Sequence, residues 1–404
     1  MNKYKTIIIG AGPAGLFAAI HAAQAGGKVL LLEKMSSPGK KLLMSGSGRC
    51  NLTSGIDLRD FFKRYGTAER FIKPTLLEFS NEQLLDFFRE RDIEFYTDKN
   101  SKVFPKSERA ADILNVLIDE CTRLSVDLRC ESPVKSVDVR DGGFNVICRS
   151  EEYICDKLII TTGGKSYPTT GSDGDMYRII EKLGHKIEPL SPALTAVLIL
   201  DYPFAEIEGV SVPDARITII RSGKKQKSHT GDILFTFKGL SGPGILDFSR
   251  DIFPGDQLNI SFIGDVNEEA FRLQFIEAIA ESAGKTMKNL LRAFGLPQSL
   301  NEKLLKLSSI PYDLKAAELN KKDRSKLIKA LSACPLTVRE LEGYNRAMTT
   351  RGGVSLKEVN PKTMESRIIP GLFFAGELLN IDGDTGGFNL QAAFSTGRMA
   401  GRNA

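Results

Sequence analysis

Hydrophobic and polar positions follow three styles along the chain. The opening is almost wholly apolar or small: a run at Thr6–Ile9, a break Gly10-Ala-Gly12-Pro-Ala-Gly15, a helical apolar stretch, and a second run Lys28–Leu32 delivering Glu33. That order predicts strand, tight turn, buried helix and strand, a βαβ unit. From Asp60 to Arg91 the pattern turns amphipathic and helical, and Ala110–Leu124 repeats it with Ile113, Leu114, Leu117 and Ile118 on one face. Val134–Val139 and Phe144–Cys148 read as a hairpin turning at Asp141-Gly142-Gly143, and 153–160 as a strand ending in Thr161-Thr-Gly-Gly164.

Around Ser191-Pro192 the style changes. Short β-like runs (Thr195–Leu200, Ile217–Ile220, Ile233–Phe237, Gln257–Phe262) fill 194–264, and 267–332 is helical and rich in Lys and Leu. After Arg346 the glycine-rich α/β style returns, in Thr350-Arg-Gly-Gly-Val354 and Pro370–Ala404. The economical reading is an α/β domain from 1–190 and 346–404, interrupted by a β-rich domain (191–266 and 333–345) that itself carries a helical insert (267–332).

Composition narrows the class. With 404 residues, 42% hydrophobic and 26% charged, the chain is an ordinary globular protein of two or three domains. It has no run of eighteen apolar residues and no leader pattern, so a cytoplasmic enzyme without a membrane span is expected. The net charge of +5 is mild; Lys224-Lys225-Gln226-Lys227 and Lys321-Lys322 read as solvated loops rather than a nucleic-acid surface. Six cysteines without a C-x-x-C pair, and three histidines, assemble no metal site by spacing.

The chemistry lies at the two ends. In a βαβ unit Gly10 makes the tight turn, Gly12 lets backbone approach a pyrophosphate, and Gly15 lets the helix pack on the strand. The helix start offers amide donors and partial positive charge, and Glu33 falls where an acid takes the adenosine ribose hydroxyls. The ligand is a dinucleotide, FAD or NAD. Near the other end a strand (Leu372–Ala375) reaches Gly376-Glu377, and Thr385-Gly386-Gly387 opens the last helix. Paired glycines there suit close approach to a planar ring. A helix end contributes roughly 0.3–2 kcal/mol to a nearby anion. That is only ~10–40 mV on a two-electron couple, so loop amides must share the task.

Four motifs in combination resemble the BaiN/YhiN-type (aminoacetone-oxidase-like) NAD(P)/FAD-dependent oxidoreductase flavoproteins, over essentially the whole chain. They are Gly10–Gly15, Gly39-Lys-Lys-Leu-Leu-Met-Ser-Gly-Ser-Gly-Arg-Cys-Asn-Leu-Thr53, Thr161–Pro168 and Phe374–Gln391. The resemblance implies a Rossmann-like FAD-binding domain of the glutathione-reductase type with an inserted β-barrel-like and helical module. It implies FAD rather than NAD, and oxidation or reduction of a small organic substrate; some relatives reduce a C=C bond in bile-acid metabolism. It puts Gly12, Pro13, Ala14 and Gly15 on the pyrophosphate, Glu33 on the adenosine ribose, Val134 at the adenine and Gly163 beside the adenosine half, with Lys34 and Thr162 also among the cofactor-binding residues. Lys41 and the loop Ser45, Gly46, Gly48, Arg49, Cys50, Asn51 belong along the pyrophosphate and flavin. Gly376, Glu377, Gly386 and the Gly387, Phe388, Asn389, Leu390 backbone fall at the ribityl and pyrimidine edge.

Catalysis is less legible. Tyr167 and His229 are the candidates for proton transfer, and where the family often has His this chain has Phe237. Ser241-Gly242-Pro243-Gly244 reads either as an anion-binding turn or as packing against the flavin domain. Cys50 lacks a nearby resolving cysteine and reads as structural. No second G-x-G-x-x-G follows a strand, so NAD(P)H would dock transiently as electron donor. Three functions compete: an FAD-dependent oxidoreductase acting by flavin hydride transfer, a nucleic-acid-associated flavoprotein, and a flavin-binding redox sensor without a turnover substrate.

Overall fold

A computed structural model describes residues 2–140, 142–149 and 151–404; Asp141 of the expected hairpin turn lies outside them. The chain forms two compact units, 1–193 with 344–404, and 194–343.

The first unit opens with β1 (Asn2–Ile9), α1 (Pro13–Gln24) and β2 (Val29–Leu32). Pro13 sits at the first helical position, where its fixed φ costs nothing. Nearly every face of α1 is buried, which explains an apolar helix without a polar stripe. Then come α2 (Lys40–Met44) and β3 (Thr53–Ser54). The predicted helical tract of 60–91 is three helices: α3 (Leu58–Lys63), α4 (Glu69–Glu78) and α5 (Asn81–Arg89). Amphipathicity runs through all of them, but Gly66 adopts positive φ after the first, and Ser80 with Gln83 forms a capping box that starts the third.

The unit continues through β4 (Phe95–Thr97), β5 (Lys102–Pro105), α6 (Ala110–Arg123), β6 (Asp127–Arg129), β7 (Ser136–Arg140), β8 (Gly143–Ile147), β9 (Glu152–Ile160), α7 (Asp175–Lys182) and β10 (Ile187–Ala193). The second unit contains β11 (Val197–Ile199), β12 (Ser211–Arg221), β13 (Lys224–Phe235), β14 (Gly239–Ser241), α8 (Pro243–Phe248) and β15 (Gln257–Ser261). It closes with α9 (Glu268–Glu281), α10 (Met287–Arg292), α11 (Gln298–Leu307), α12 (Lys321–Ser332) and β16 (Cys334–Leu341). The chain returns to the first unit with β17 (Thr349–Val354), β18 (Leu372–Phe374) and α13 (Phe388–Asn403).

The main sheet has the order β6-β2-β1-β9-β8-β7. β6, β2, β1 and β9 run parallel, and β2 between its neighbours is buried on both faces. The far edge of β9 is shared: its first half takes antiparallel β8, and its last three residues take parallel β18. The two ends of the sequence therefore meet on one strand. In the second unit β11-β14-β13-β12-β15-β16 closes into a barrel, and its apolar core merges with that of α9–α12. Lys224–Lys227 is not a loop here. Ser222 and Gly223, both with positive φ, make the turn, and the lysines begin β13. No helix among the described residues is long and apolar enough to cross a membrane.

Candidate flavin cradle

The first turn of the chain is built by close backbone contact. Gly10 has φ 100°, and a Cβ there would stand 2.8 Å from the Thr161 carbonyl oxygen. A Cβ on Gly15 would strike the Gly10 carbonyl and come within 2.6 Å of Thr161 Oγ1. Gly12 differs: its φ is −79°, and no protein atom lies within 4 Å of a Cβ built on it. The fold needs Gly10 and Gly15; the space in front of Gly12 is open. Pro13 and Ala14 continue into the α1 first turn, whose amides precede the first intrahelical bond, Leu16 N to Gly12 O.

Glu33 follows β2, its carboxylate fixed by the amides of Ala11 and Met35, each at 2.8 Å. Its carbonyl accepts from Ser132 N, which brings the segment of Val134 alongside. Lys34 reaches Asp173 at 2.5 Å. Around Gly163 two buried hydroxyls, Thr162 Oγ1 and Ser172 Oγ, have no partner among the described residues. A Cβ on Gly163 (φ 74°) would stand 2.8 Å from Ser172 Oγ, so the glycine is needed for the approach of Ser172.

The second group gathers on Glu377. Lys41 Nζ meets its carboxylate at 2.5 Å and Ser166 Oγ at 2.6 Å; Ser166 Oγ and Thr350 N also donate to it, at 2.8 and 3.0 Å. Thr350 Oγ1 in turn accepts from the amides of Lys165 and Ser166. Lys41 is thus an ion-pair partner of Glu377. Ser166 and Thr350, both absent from the sequence-derived set, are its other supports; only adjacency to the Thr-Thr-Gly-Gly turn and to Arg351-Gly-Gly pointed to them.

Ser45–Asn51 is a contorted loop: Gly46, Ser47, Gly48 and Cys50 all have positive φ. Arg49 lies over the Phe104 ring at 4.8 Å and near Glu108. Cys50 is fully buried, and burial pushes its thiol up to about 12, so it is no thiolate at neutral pH. Asn51, its amide oriented to satisfy both neighbours, accepts from Gly387 N and donates to Thr53 O, each at 3.1 Å.

Gly387 (φ 94°) caps α13, and a Cβ on it would come within 2.5 Å of the Thr53 backbone. The close approach made by this glycine is therefore to β3, and its amide is engaged by Asn51. The amides of Phe388, Asn389 and Leu390 form the first turn ahead of the Gln391 N to Gly387 O bond. The Phe388 carbonyl accepts from Tyr65 Oη, while the Asn389 side chain clasps Gly383 from both sides at 2.8 and 2.9 Å, shaping the loop that Gly386 closes. Gly376 N donates to Thr396 Oγ1.

The remaining candidates separate. Tyr167 (φ 53°) follows Ser166, its amide bonded to the Tyr344 carbonyl. His229 lies on β13 of the other unit, its ring tilted against Phe248 with centroids 5.5 Å apart. Gly242 and Gly244 have a packing reason inside that unit: Cβ atoms there would meet the backbone of β13 at 2.7 Å. The helix that this turn opens, α8, is six residues long. Among the described residues no His/Cys/Asp/Glu cluster could hold a metal.

A parallel sheet, a glycine turn on a helix start, an acid at the end of β2 and a second glycine-capped helix define an FAD-dependent oxidoreductase. The chain belongs to the HI0933-like Rossmann-domain family, whose model matches residues 4–403. It is 32% identical over 405 residues to a 3-dehydro-bile acid delta(4,6)-reductase of Clostridium scindens, covering 98% of each chain. It is 34% identical over 401 residues to a ribosomal RNA dihydrouridine synthase of Escherichia coli, covering 98% of this chain and 96% of that one. Among solved structures, the 3-ketosteroid-delta4-(5alpha)-dehydrogenase of Rhodococcus jostii shares the fold, with TM-score 0.50 and 18% identity over 100% of this chain and 96% of that one.

Proposed function

We propose that this protein is an FAD-dependent reductase that saturates a C=C bond conjugated to a carbonyl, and that the bond lies in a uracil ring of ribosomal RNA. The observation that carries the flavin part is the open space before Gly12, flanked by two glycines that the fold itself demands. In this reading Gly12–Gly15 receive the pyrophosphate, Glu33 the adenosine ribose, and Glu377 with the α13 first turn the ribityl and pyrimidine edge. Bound FAD supplies the hydride; the protein positions the ring, excludes water and tunes the charge.

The bond type is supported by what the two curated relatives have in common. A 3-dehydro bile acid delta(4,6)-reductase and a dihydrouridine synthase both add two hydrogens across a ring C=C conjugated to a carbonyl. The RNA reading is favoured by the exposed lysines that begin β13. A small-molecule enone is the second reading, supported by the reductase relative. Tyr167, next to Ser166 on the Glu377 network, is the proposed proton donor to the carbon that does not take hydride. Its Phe variant should lose roughly 10²–10⁴-fold in turnover with FAD binding intact.

The test is anaerobic. FAD-loaded protein, reduced with NADPH, NADH or dithionite, is mixed with ribosomal RNA transcribed in vitro or with a 3-oxo-Δ4 steroid. Flavin reoxidation is followed by stopped flow, and nucleosides by mass spectrometry. Dihydrouridine in the RNA supports the first reading; reoxidation by the steroid alone selects the second; reoxidation by neither overturns both.

A further inference from the structure

We propose that the tip of the β12–β13 hairpin, together with Phe253, is the surface on which this protein holds the backbone and an unpaired base of its RNA substrate. The inference rests on the RNA reading above and adds where the RNA is gripped.

The tip is tightly turned and basic. Ser222 and Gly223, at φ 51° and 73°, form a two-residue turn between Arg221 and Lys224, the geometry that continues strand twist without splaying the hairpin. Lys224, Lys225, Gln226 and Lys227 are all exposed, and a bulge at Ile219/Ile220 leaves Gln226 as the extra residue. Such a bulge increases local twist and turns the strand end.

Charge is unbalanced there. Asp256 is 2% exposed and holds Arg221 by two hydrogen bonds, at 2.7 and 2.8 Å; Asp251 pairs with Lys227 at 2.6 Å. Both carboxylates are thereby occupied. Lys224 and Lys225 have no ion-pair partner among the described residues, leaving two exposed cations at the hairpin tip.

The aromatic partner is fixed too. Phe253 N donates to Asp256 Oδ2 at 2.8 Å, the Arg221 guanidinium sits 4.5 Å from the ring centroid, and the residue is still 44% exposed. Lysines beside a clamped, exposed ring match single-stranded RNA, where ammonium groups take phosphates and rings take unstacked bases. The bland alternative is that the lysines only shield a strand edge from pairing with another chain.

Salt dependence separates the two. Full-length FAD-loaded protein and its Lys224→Ser/Lys225→Ser variant are titrated with ribosomal RNA transcribed in vitro at several salt concentrations. Loss of two phosphate contacts should lower the slope of log K against log salt by about 1.4 and weaken binding, with FAD content unchanged. The chain contains no tryptophan, so Phe253→Trp places a single reporter. Its emission should be quenched by RNA and not by a 3-oxo-Δ4 steroid. An unchanged slope, or aggregation of the lysine variant with an unchanged slope, overturns the proposal and assigns the lysines to edge shielding; indole emission that RNA leaves unquenched in Phe253→Trp overturns the stacking. Wild type that makes dihydrouridine while the slope stays put sinks only this inference. Wild type that reduces the steroid alone sinks the RNA reading and this inference with it.

Discussion

Gly12 and Gly15 stand three residues apart in one motif, yet the structure gives them opposite sensitivities to a single methyl group. At Gly15 a Cβ runs into the Gly10 carbonyl and Thr161 Oγ1, groups fixed by the sheet. Overpacking costs about 1–3 kcal/mol and more against backbone, against which the helical preference for Ala returns about 1 kcal/mol. A net loss of ~1–3 kcal/mol should lower the melting temperature of flavin-free Gly15→Ala protein by roughly 3–10 °C. At Gly12 the methyl group meets no protein atom, and φ −79° suits alanine. Replacing Gly by Ala at a helix N-cap costs about 0.5–1 kcal/mol, while the stiffer unfolded chain returns about 0.4–1. Flavin-free Gly12→Ala should therefore melt within about 2 °C of wild type. If a pyrophosphate occupies that open space, the same methyl group displaces it. A penalty of about 1–3 kcal/mol weakens FAD by roughly 5- to 150-fold. Thermal unfolding of the flavin-free proteins and titration of flavin fluorescence read the two effects separately. Unchanged FAD affinity in Gly12→Ala refutes the placement of the pyrophosphate; a stability loss equal to that of Gly15→Ala refutes the geometry.

Lys41→Met leaves the Glu377 carboxylate, 18% exposed, without its cation, and should destabilise the flavin-free protein by about 1–3 kcal/mol in denaturant titrations. Lys41→Met/Glu377→Gln should regain much of that, because Ser166 and Thr350 still donate to the amide oxygen; additive losses would show that the pair is not coupled. Burial first, and the Arg398 charge second, hold His21 down at about 4, below its usual 6.5. The folded state resists the proton that the unfolded chain accepts, so stability is full above pH 6.5 and falls as pH drops toward 4. His21→Gln should flatten that part of the stability–pH curve by at most about 3 kcal/mol, and an identical slope in the variant would show another group responsible. Cys50 should resist alkylation at neutral pH in native protein and react on unfolding; fast native labelling mapped to Cys50 by peptide mass would contradict its burial.

The sequence made the βαβ unit legible because its meaning is local: the spacing of Gly10, Gly12 and Gly15 between two apolar runs admits few other folds. The start of α13 was legible for the same reason. What escaped was chemistry made by residues remote in number. Lys41 and Glu377 meet across 336 positions, and no local pattern announces that pairing. Gly387 was legible as a close-approach glycine, but its neighbour, Thr53 of β3, was not. Lys224–Lys227 misled because an exposed strand end has the polarity of a loop, and only the positive φ of Ser222 and Gly223 shows where the turn falls. Ser241-Gly242-Pro243-Gly244 read equally as an anion turn or as packing, since glycine needed for packing and glycine needed for a ligand look alike.

The packing of the two chain ends also bears on the size of the ligand. A Cβ on Gly397 would strike the Ala14 carbonyl, and one on Gly401 the Ala18 carbonyl, so α1 and α13 touch backbone to backbone at two successive turns. Residue numbers rise together along both helices, which makes them parallel. Gly397 lies nine residues after Phe388, while Ala14 is the second residue of α1. At 1.5 Å per residue, the α13 first turn projects roughly 12 Å beyond that of α1 along a common direction. Each helix start carries amide donors and about half a positive charge. Two such ends offset by this length suit an extended ligand with a diphosphate at one end and an electron-accepting ring at the other. A mononucleotide would span only one of them. Gly397 and Gly401, by admitting the α1 backbone, thus set the offset between the two helix starts.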